Sequence, residues 1–338
     1  MTTLILPAGR QQATYGNPAV TVFDAVTNNP FFLSDWQTYR STGETGTSTT
    51  LAYPCRITAA TSPFTWNGGR FYGNIGQNID WDNFYEGGRF TLSQTFPRFN
   101  SALLFPRNGV RGTFNDLVFG IRNDLNSGFV DGVRLNQAGN CIFNRPRVWC
   151  GRDDWLEADG ANNRTHTIND GFFENQFMWL SGTGLIPNTF FFINRCLVHF
   201  GPWRFRGNLA YGAPLKVDSA AASPKFRFNA TTLVIGTNDY TSKDRMKAAL
   251  ANTQATNGCR LLVLGGTHVD RQLIQMYQNA GFSVLEDGNG TAATQEWLNR
   301  KAAFLNEVSN PPPQPPPPPP PPPAPSLVSP VTFSAQAG

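Results

Sequence analysis

The sequence predicts a mainly β protein, in which a coiled solenoid of short strands precedes a small α/β domain and a polyproline tail. Three observations predict this class. Apolar triplets recur about every 25 residues, stretches rich in Gly, Asn and Asp separate them, and strand and helix patterns alternate after Ala230. Short strands that recur with turn residues between them are typical of solenoid proteins, whose coils stack on one another.

The triplets of the repeat begin at Phe64, Phe90, Leu117, Cys141, His166 and Phe191. The stretches "NGG", "EGG" and "DGANN" suit corners between such strands, because Gly and Asn adopt positive φ. An antiparallel sandwich is the alternative, since turns every roughly 8–12 residues fit parts of this region.

Composition divides the chain into five segments. We expect a cap or attachment region at 1–50, the solenoid at 51–235, an α/β appendage at 236–309, a polyproline linker at 310–325 and a terminal peptide at 326–338. In the appendage, strands such as "RLLVLGG" alternate with amphipathic helices such as "VDRQLIQMYQNAG", which predicts a small parallel sheet covered by helices. We expect the prolines to form an extended spacer. The terminal peptide either adds a strand elsewhere or is a disordered tail.

Composition also limits the classes of function. The chain lacks a long apolar run and a recognisable signal peptide, so we expect no membrane insertion. Its net charge of +4 is mild and its arginines are interleaved with acids, which argues against nucleic-acid binding. Five widely spaced cysteines without a CxxC pair predict buried free thiols, and no metal site is predicted.

An acidic stretch, "GRDDWLEADGANNRTHTI" at 151–168, is the first candidate site. Alternation along a strand would place Asp153, Trp155 and Glu157 outward and Asp154 inward. Paired carboxylates in different environments can act as acid and base. The favoured interpretation is structural, in which such acids cap backbone N–H groups at a corner and keep the surface soluble.

The same stretch carries a family resemblance. "DDWLEADGANNRTHTINDGFFEN" and "FFINRCLVHFGPWRFRGNLAYGAPLKV" resemble right-handed parallel β-helix proteins of the pectate-lyase-like superfamily, best over residues 131–236. These include polysaccharide lyases, glycosidases, viral tailspikes and other binding or structural proteins. The resemblance implies a right-handed parallel β-helix. If the chain is an enzyme, it implies catalytic roles for Asp153, Asp154 and Glu157.

The resemblance has further implications for ligands and corners. A lyase of this kind would use calcium and a base, for which Arg152 or Arg164 is the candidate. Corner asparagines that form ladders in the family correspond to Asn194, Asn208 and Asn229.

Four tryptophans recur in consecutive predicted coils: Trp149, Trp155, Trp179 and Trp203. On an outer face, with Arg152 beside them, they would bind sugar rings or a partner protein, because aromatic side chains offer rigid contact area. The alternative is a place in the core or a subunit interface.

The appendage is a separate candidate. "GTND" at 236–239 and "GTHVD" at 266–270 follow predicted strands, where open α/β sheets bind ligands. They faintly resemble later blocks of lipase-like hydrolases, but no Ser nucleophile motif precedes them.

Taken together, the sequence favours a virion structural or host-surface recognition protein, such as a bacteriophage tail or capsid-surface component. We expect a homo-oligomer, with a trimer favoured, located on a virion or extracellular surface, whose partners are other virion proteins or surface glycans. The alternative is a polysaccharide lyase or glycoside hydrolase that uses the acidic stretch. A third hypothesis makes the appendage the functional module.

Overall fold

A computed structural model gives the fold of the chain. It describes residues 2–5, 9–10, 13–15, 20–25, 31–33, 55–57, 63–68, 70–73, 101–104, 110–120, 131–135, 138–149, 154–160, 162–176, 178–184, 186–201, 203–205, 208–210, 214–236, 243–267, 269–288 and 290–309.

In this part of the chain the protein is mainly β, with 28 strands and three helices. The strands are β1 (Thr2–Ile5), β2 (Gly9–Arg10), β3 (Ala13–Tyr15), β4 (Val20–Ala25), β5 (Phe31–Leu33), β6 (Cys55–Ile57), β7 (Phe64–Gly68), β8 (Arg70–Gly73), β9 (Ser101–Leu104), β10 (Gly112–Asn115), β11 (Val118–Gly120), β12 (Asp131–Arg134), β13 (Ile142–Asn144), β14 (Arg147–Trp149), β15 (Leu156–Glu157), β16 (Thr165–Asn169), β17 (Phe172–Gln176), β18 (Leu180–Ser181), β19 (Phe190–Asn194), β20 (Leu197–Phe200), β21 (Trp203–Phe205), β22 (Asn208–Ala210), β23 (Leu215–Lys216), β24 (Lys225–Asn229), β25 (Thr232–Ile235), β26 (Thr253–Thr256), β27 (Arg260–Val263) and β28 (Ser283–Glu286). The helices are α1 (Lys243–Leu250), α2 (Arg271–Asn279) and α3 (Ala292–Ser309).

Three all-parallel sheets contain nearly all of these strands. Sheet A has the order β1-β4-β7-β10-β13-β16-β19-β24-β26, and sheet B has the order β2-β5-β8-β11-β14-β17-β20-β25-β27-β28. Sheet C has the order β23-β18-β15-β12-β9-β6-β3. Strands β21 and β22 form an antiparallel hairpin.

The chain visits the three sheets in turn. Strands β13, β14 and β15 enter sheets A, B and C, and β16, β17 and β18 then pair with them in the same order. We call one such passage a round. Stacked rounds of parallel strands are compatible with a solenoid.

Side chains on the inner face of sheet A stack from one round to the next. Trp66, Phe114, Phe143 and Ile168 share one register position and are fully buried. The rings of Phe114 and Phe143 lie nearly parallel with their centroids 4.9 Å apart. Each large apolar side chain buried in this way contributes about 1.5–3 kcal/mol to folding, so the stack forms much of the core.

A ladder of asparagines closes sheet A where each strand turns toward sheet B. In each step the Nδ2 of one asparagine donates to the Oδ1 of the asparagine in the round before it, over 2.5 to 3.4 Å. The ladder consists of Asn67, Asn115, Asn144, Asn169, Asn194, Asn229 and Asn257. The implied ladder positions Asn194 and Asn229 are therefore confirmed, whereas Asn208 is wrong, because it lies in the hairpin strand β22.

The corner residue after five of the ladder asparagines has a left-handed backbone. Asp116, Arg145, Asp170, Arg195 and Ala230 have φ between 48° and 57°. Each donates its N–H to a carbonyl of the next round, which fixes this conformation. The expectation that Gly or Asn would occupy the corners is wrong at these five positions, but Gly68 after Asn67, and Gly160 and Asn163 in "DGANN", have the expected positive φ. Ion pairs between neighbouring corners, Arg145 with Asp116 and Arg195 with Asp170, accompany the strained backbone.

The length of a round varies more than the sequence repeat predicts. Successive ladder asparagines from Asn144 to Asn194 are 25 residues apart, but the other steps are 48, 29, 35 and 28 residues. The triplets at Cys141, His166 and Phe191 do share one register position. Leu117 instead precedes a strand of sheet B, and Phe90 lies outside the described residues. A triplet search cannot separate sheets A and B, because both alternate apolar residues.

After β25 the chain continues the same sheets with helices between the strands. β26 pairs with β24, β27 pairs with β25, and β28 pairs with β27. The three predicted helices are present, but the separate small sheet predicted for the appendage is wrong, because these strands extend sheets A and B. Helix α1 packs against β23 and ends sheet C, with the Leu215 N–H 3.4 Å from Met246 Sδ. The boundary at 235/236 stays a prediction.

None of the helices in the described ranges is both long and apolar enough to cross a membrane.

Candidate functional site

The predicted acidic stretch contributes to a row of polar residues on sheet C. Arg134, Glu157, Ser181 and Lys216 occupy matching register positions on β12, β15, β18 and β23. We call these four residues the charged row. The neighbouring row of Val133, Leu156, Leu180 and Leu215 is buried in the core.

Two ion pairs neutralise the acids at this row. The Nζ of Lys216 lies 2.7 Å from Oδ2 of Asp154, and the guanidinium of Arg134 pairs with the carboxylate of Glu157. Asp154 is 0% exposed and Glu157 is 5% exposed. A carboxylate removed from water costs several kcal/mol unless a cation and hydrogen bonds compensate it. Each buried acid is therefore half of a neutralised pair.

A third acid of the stretch joins two rounds through hydrogen bonds. Asp159 Oδ1 accepts from the Ser181 hydroxyl at 2.7 Å and from the Thr183 N–H at 2.8 Å. A carboxylate that satisfies N–H and O–H donors in the next round has the structural capping role that the sequence favoured.

The simple alternation expected across the stretch is wrong. Strand β15 contains only Leu156 and Glu157, and the bend before it turns Trp155 into the core. Glu157 lies in the charged row, as alternation predicted, but Trp155 does not follow it outward.

Two of the four tryptophans are core residues. Trp155 meets Phe143 and Phe173 edge-on at centroid distances of 5.3 and 4.7 Å, and Trp179 meets Phe173 at 5.2 Å. Both tryptophans are fully buried, so the outer-face position predicted for them is wrong. Neither indole N–H has a hydrogen-bond partner within the described residues.

The remaining residues predicted for the site are untested. Trp149 and Trp203 lie on β14 and β21, but their side chains are outside the described part of the chain. Arg152 and Asp153 lie outside it entirely. The catalytic role of Asp153, Asp154 and Glu157 therefore stays a prediction.

The alternative base, Arg164, directly precedes strand β16 of sheet A, whereas the charged row lies on sheet C. Its Nε donates to the Ala138 carbonyl at 3.1 Å. Arg164 thus contacts the backbone of the preceding round.

A buried cysteine and histidine lie at neighbouring positions on the inner face of sheet A. The Thr167 N–H donates to the Cys141 carbonyl, which places His166 beside Cys141. Burial, with a smaller effect of Arg164, lowers the pKa of His166 to about 3, and burial raises the pKa of Cys141 to about 12. The neutral thiol is a poor nucleophile, so this pair belongs to the core.

Burial also accounts for the other described thiols. Cys141, Cys196 and Cys259 are free and buried, which confirms the prediction for these three cysteines. Burial raises the pKa of Cys196 to about 12 as well.

The glycine loop after β27 is filled by a side chain of this protein. The Gly265 N–H donates to Asp287 Oδ2 at 2.7 Å, and Asp287 Oδ1 accepts from the Ala293 N–H at 2.5 Å. Burial raises the pKa of Asp287, but hydrogen bonds from Thr294, Ala293 and Gly265 outweigh burial and lower it. Residues 237–242 and His268, which complete the predicted motifs, lie outside the described residues.

The outer face of sheet A carries two rings and two cations that the sequence interpretation missed; Phe192 is exposed and the other three side chains are half-buried. Phe190 and Phe192 lie on β19, directly opposite Lys225 and Arg227 on β24. The two rings are nearly parallel with centroids 6.0 Å apart, and Phe192 is 38% exposed. Lys225 Nζ and Arg227 Cζ lie 5.1 and 5.7 Å from the centroid of the Phe190 ring. We call these four residues the aromatic–cationic patch.

The cations of the patch differ in their contact partners from the corner arginines of the sheets. Arg227 Nη1 donates to the carbonyls of Phe226 and Asn252, and burial lowers the pKa of Arg227. Within the described residues neither Lys225 nor Arg227 forms an ion pair with a carboxylate. Corner arginines of the same rounds, such as Arg195, do form one. The patch is therefore apolar at its centre and positively charged along β24.

The sequence contained a signal for this patch. In "FFFIN" both sets of alternating residues are apolar, so one set has to face away from the core. "KFRFN" on the neighbouring strand puts cations at the positions aligned with that outer set.

Among the described residues, no group of three or more His, Cys, Asp and Glu side chains is placed to hold a metal ion. No family model, curated protein or solved structure matches the chain. Its function is therefore inferred from the site.

Proposed function

We propose that the chain is a right-handed parallel β-helix of the pectate-lyase-like kind that serves as a structural and recognition protein on the exterior of a particle. In this proposal the aromatic–cationic patch binds surface glycans that carry acidic groups. The observation that carries it is the exposed Phe192 ring stacked beside Phe190, whose ring lies close to two cations that have no carboxylate partner in the described chain.

The chemistry of the patch selects this kind of ligand. A phenyl ring that lies on a sheet face offers a rigid surface on which a sugar ring can stack. Lys225 and Arg227 are one strand away and supply charge-assisted hydrogen bonds to a carboxylate or other acidic substituent. A peptide that binds by strand addition would need a sheet edge, whereas these residues lie on a face.

The stacked rounds support a role at an exterior surface. The sequence resembles β-helix proteins that include viral tailspikes, and three all-parallel sheets are compatible with such a fold. We include in the proposal a bacteriophage tail or capsid-surface location and a trimer, in which lateral faces of the helix meet partner chains.

The ion-paired acids support recognition more than catalysis. A general acid has to come within hydrogen-bond reach of the glycosidic oxygen, and Asp154 is fully buried with Lys216 beside it. The same pairing is what a buried structural acid needs.

The proposal is tested by isothermal titration calorimetry with a panel of acidic and neutral polysaccharides. We expect an acidic member to bind the parent protein, and Phe192→Leu and Arg227→Gln each to weaken it about tenfold, which corresponds to ~1.4 kcal/mol. Arg271→Gln is the matched control, because Arg271 is an exposed cation far along the chain that pairs with Glu286. Equal affinity for neutral glycans, or equal losses in the control, would contradict the proposal.

A further inference from the structure

Helix α3 covers the outer face of sheet B with one apolar face. Its Ala293 and Trp297 pack in one cluster with four buried side chains of the sheet: Phe172, Leu197, Val234 and Leu262. The Trp297 and Phe172 rings lie nearly parallel with centroids 6.5 Å apart, and the Phe304 ring also packs on Phe172, at 5.4 Å. Burial of apolar side chains therefore binds this helix to the sheet.

Polar contacts hold the same helix at its margins. Arg260 of β27 pairs with Glu296 at 2.7 Å, and Lys301 Nζ lies 2.5 Å from Glu174 Oε1 on β17. The carboxylate of Asp287 accepts from backbone N–H groups of the first turn of the helix. None of these contacts is part of a strand ladder, so the helix can separate from the sheet while the strands stay paired.

A titratable ring lies beneath the helix. The His199 side chain on β20 is 9% exposed and stacks on Trp297 with centroids 5.0 Å apart and an interplanar angle of 18°. Beside it, Lys301 of the helix and Glu174 of the neighbouring strand β17 pair with each other. On its other side, β25 places the uncharged Val234 opposite His199. Protonation of His199 would therefore put a positive charge in a buried position near an ammonium group.

The covered position of His199 disfavours its protonated form. Burial, with a smaller contribution from the Lys301 ammonium, lowers the pKa of His199 from 6.5 to about 4. When the helix is away from the sheet, the imidazole reaches water and its pKa returns to about 6.5. The released state then binds a proton that the covered state lacks, so the population of the released state rises as the pH falls from 6.5 to 4.

We propose that α3 is an acid-released strap, which covers the outer face of sheet B at neutral pH and separates from it after protonation of His199. Release uncovers the apolar side chains of Phe172, Leu197, Val234 and Leu262 on the exterior of the protein. Exposed apolar surface of this extent is typical of binding surfaces. An acidic environment thus adds a contact surface that is hidden at neutral pH. This inference is independent of glycan binding at sheet A.

Hydrogen–deuterium exchange of the full chain, read by mass spectrometry, measures the release. Exchange rates of α3 are divided by the intrinsic rates at each pH, so that the ratio reports the released population. A pKa difference of about 2.5 corresponds to a limit of about 300-fold, of which about 100-fold falls between pH 7 and pH 4. We expect this rise for α3 and little change for α2, the internal reference. An equal rise in α2 would report unfolding of the whole protein and would overturn the proposal.

Variants on both sides of the contact separate protonation of His199 from other effects of acid. His199→Phe keeps a ring against Trp297 but binds no proton, so the rise should disappear. Lys301→Met removes the ammonium and frees Glu174 to stabilise a protonated His199, so the rise should fall well below 100-fold. Arg300→Met is the matched control and should keep the full rise, because Arg300 pairs with the neighbouring Glu296. No rise in the parent, or a full rise in a folded His199→Phe variant, would also overturn the proposal.

Discussion

Lys216 Nζ and Asp154 Oδ2 lie 2.7 Å apart, although 62 residues separate them in the sequence. Lys216 belongs to β23, and Asp154 precedes β15, with β18 between the two strands in sheet C. The ion pair therefore connects residues two strands apart, beside the end of the sheet that α1 covers.

The two partners of this ion pair differ in burial, so we expect variants at the two positions to differ in their free energies of unfolding. Lys216→Met leaves a fully buried carboxylate without its ammonium and should lower the free energy of unfolding by about 3–5 kcal/mol. Asp154→Asn should cost less, because the Lys216 side chain is 20% exposed and its charge can reach water. Urea unfolding of both variants and of the double variant measures this. Equal losses for the two single variants would contradict the burial argument.

The asparagine ladder makes a second prediction. Asn169 donates to Asn144 and accepts from Asn194, so Asn169→Ala leaves partners on both sides unsatisfied and should cost about 1–3 kcal/mol. Asn257, the exposed last member, makes a single ladder bond, and Asn257→Ala should cost less than about 1 kcal/mol. Chemical unfolding compares the two. If the ladder did not contribute to stability, both variants would lose a small and similar amount of unfolding free energy.

The left-handed backbone at the Ala230 corner predicts that a glycine at this position stabilises the folded protein. With φ at 48°, Ala230 bears a steric cost that glycine lacks. Ala230→Gly should raise the free energy of unfolding by up to about 1 kcal/mol. The same change at Ala302, exposed in α3, should lower it by about 1 kcal/mol. Thermal unfolding of both variants checks the opposite signs, and a loss at Ala230 would show that its corner is unstrained.

The buried His166 predicts a loss of stability in acid. The unfolded chain takes up a proton near pH 6.5, whereas burial holds the folded pKa at about 3. Stability is therefore complete above pH 6.5 and falls as the pH decreases toward 3, by at most roughly 1.4 kcal/mol per pH unit. His166→Leu should reduce the slope of the unfolding free energy against pH by up to about 1.4 kcal/mol per pH unit, which is the contribution of one proton. His199, with a pKa lowered by burial to about 4, should maintain part of the slope. An unchanged slope in His166→Leu would refute the assignment.

The sequence predicted the parallel, mainly β class because turn residues and alternating apolar residues recur along the chain. It could not give the lengths of the rounds, since insertions such as the β21–β22 hairpin lengthen a round without changing the register of the next strand. It also could not separate the appendage strands from the earlier sheets, because β27, like β25, has a run of three buried apolar residues.

For the site, the sequence identified the acids but not their partners. Arg134 lies on the neighbouring strand β12 and Lys216 lies two strands away on β23, and only the stacking register brings them to Glu157 and Asp154. Trp155 was misplaced because alternation assumes a continuous strand, whereas a bend at Trp155 precedes the short strand β15. The aromatic half of the patch could be predicted, because its strand has apolar residues on both faces. That β24 lies beside this strand follows only from the register in the structure.

The central claim is that the protein recognises an acidic glycan without cleaving it. Light scattering coupled to size-exclusion chromatography, applied to a bound glycan after prolonged incubation, measures this most directly. We expect the glycan to stay at full length with the parent protein and with the Glu157→Gln variant. Shortened chains with the parent, and full-length chains with folded Glu157→Gln, would contradict the claim and make the acidic stretch a catalytic site.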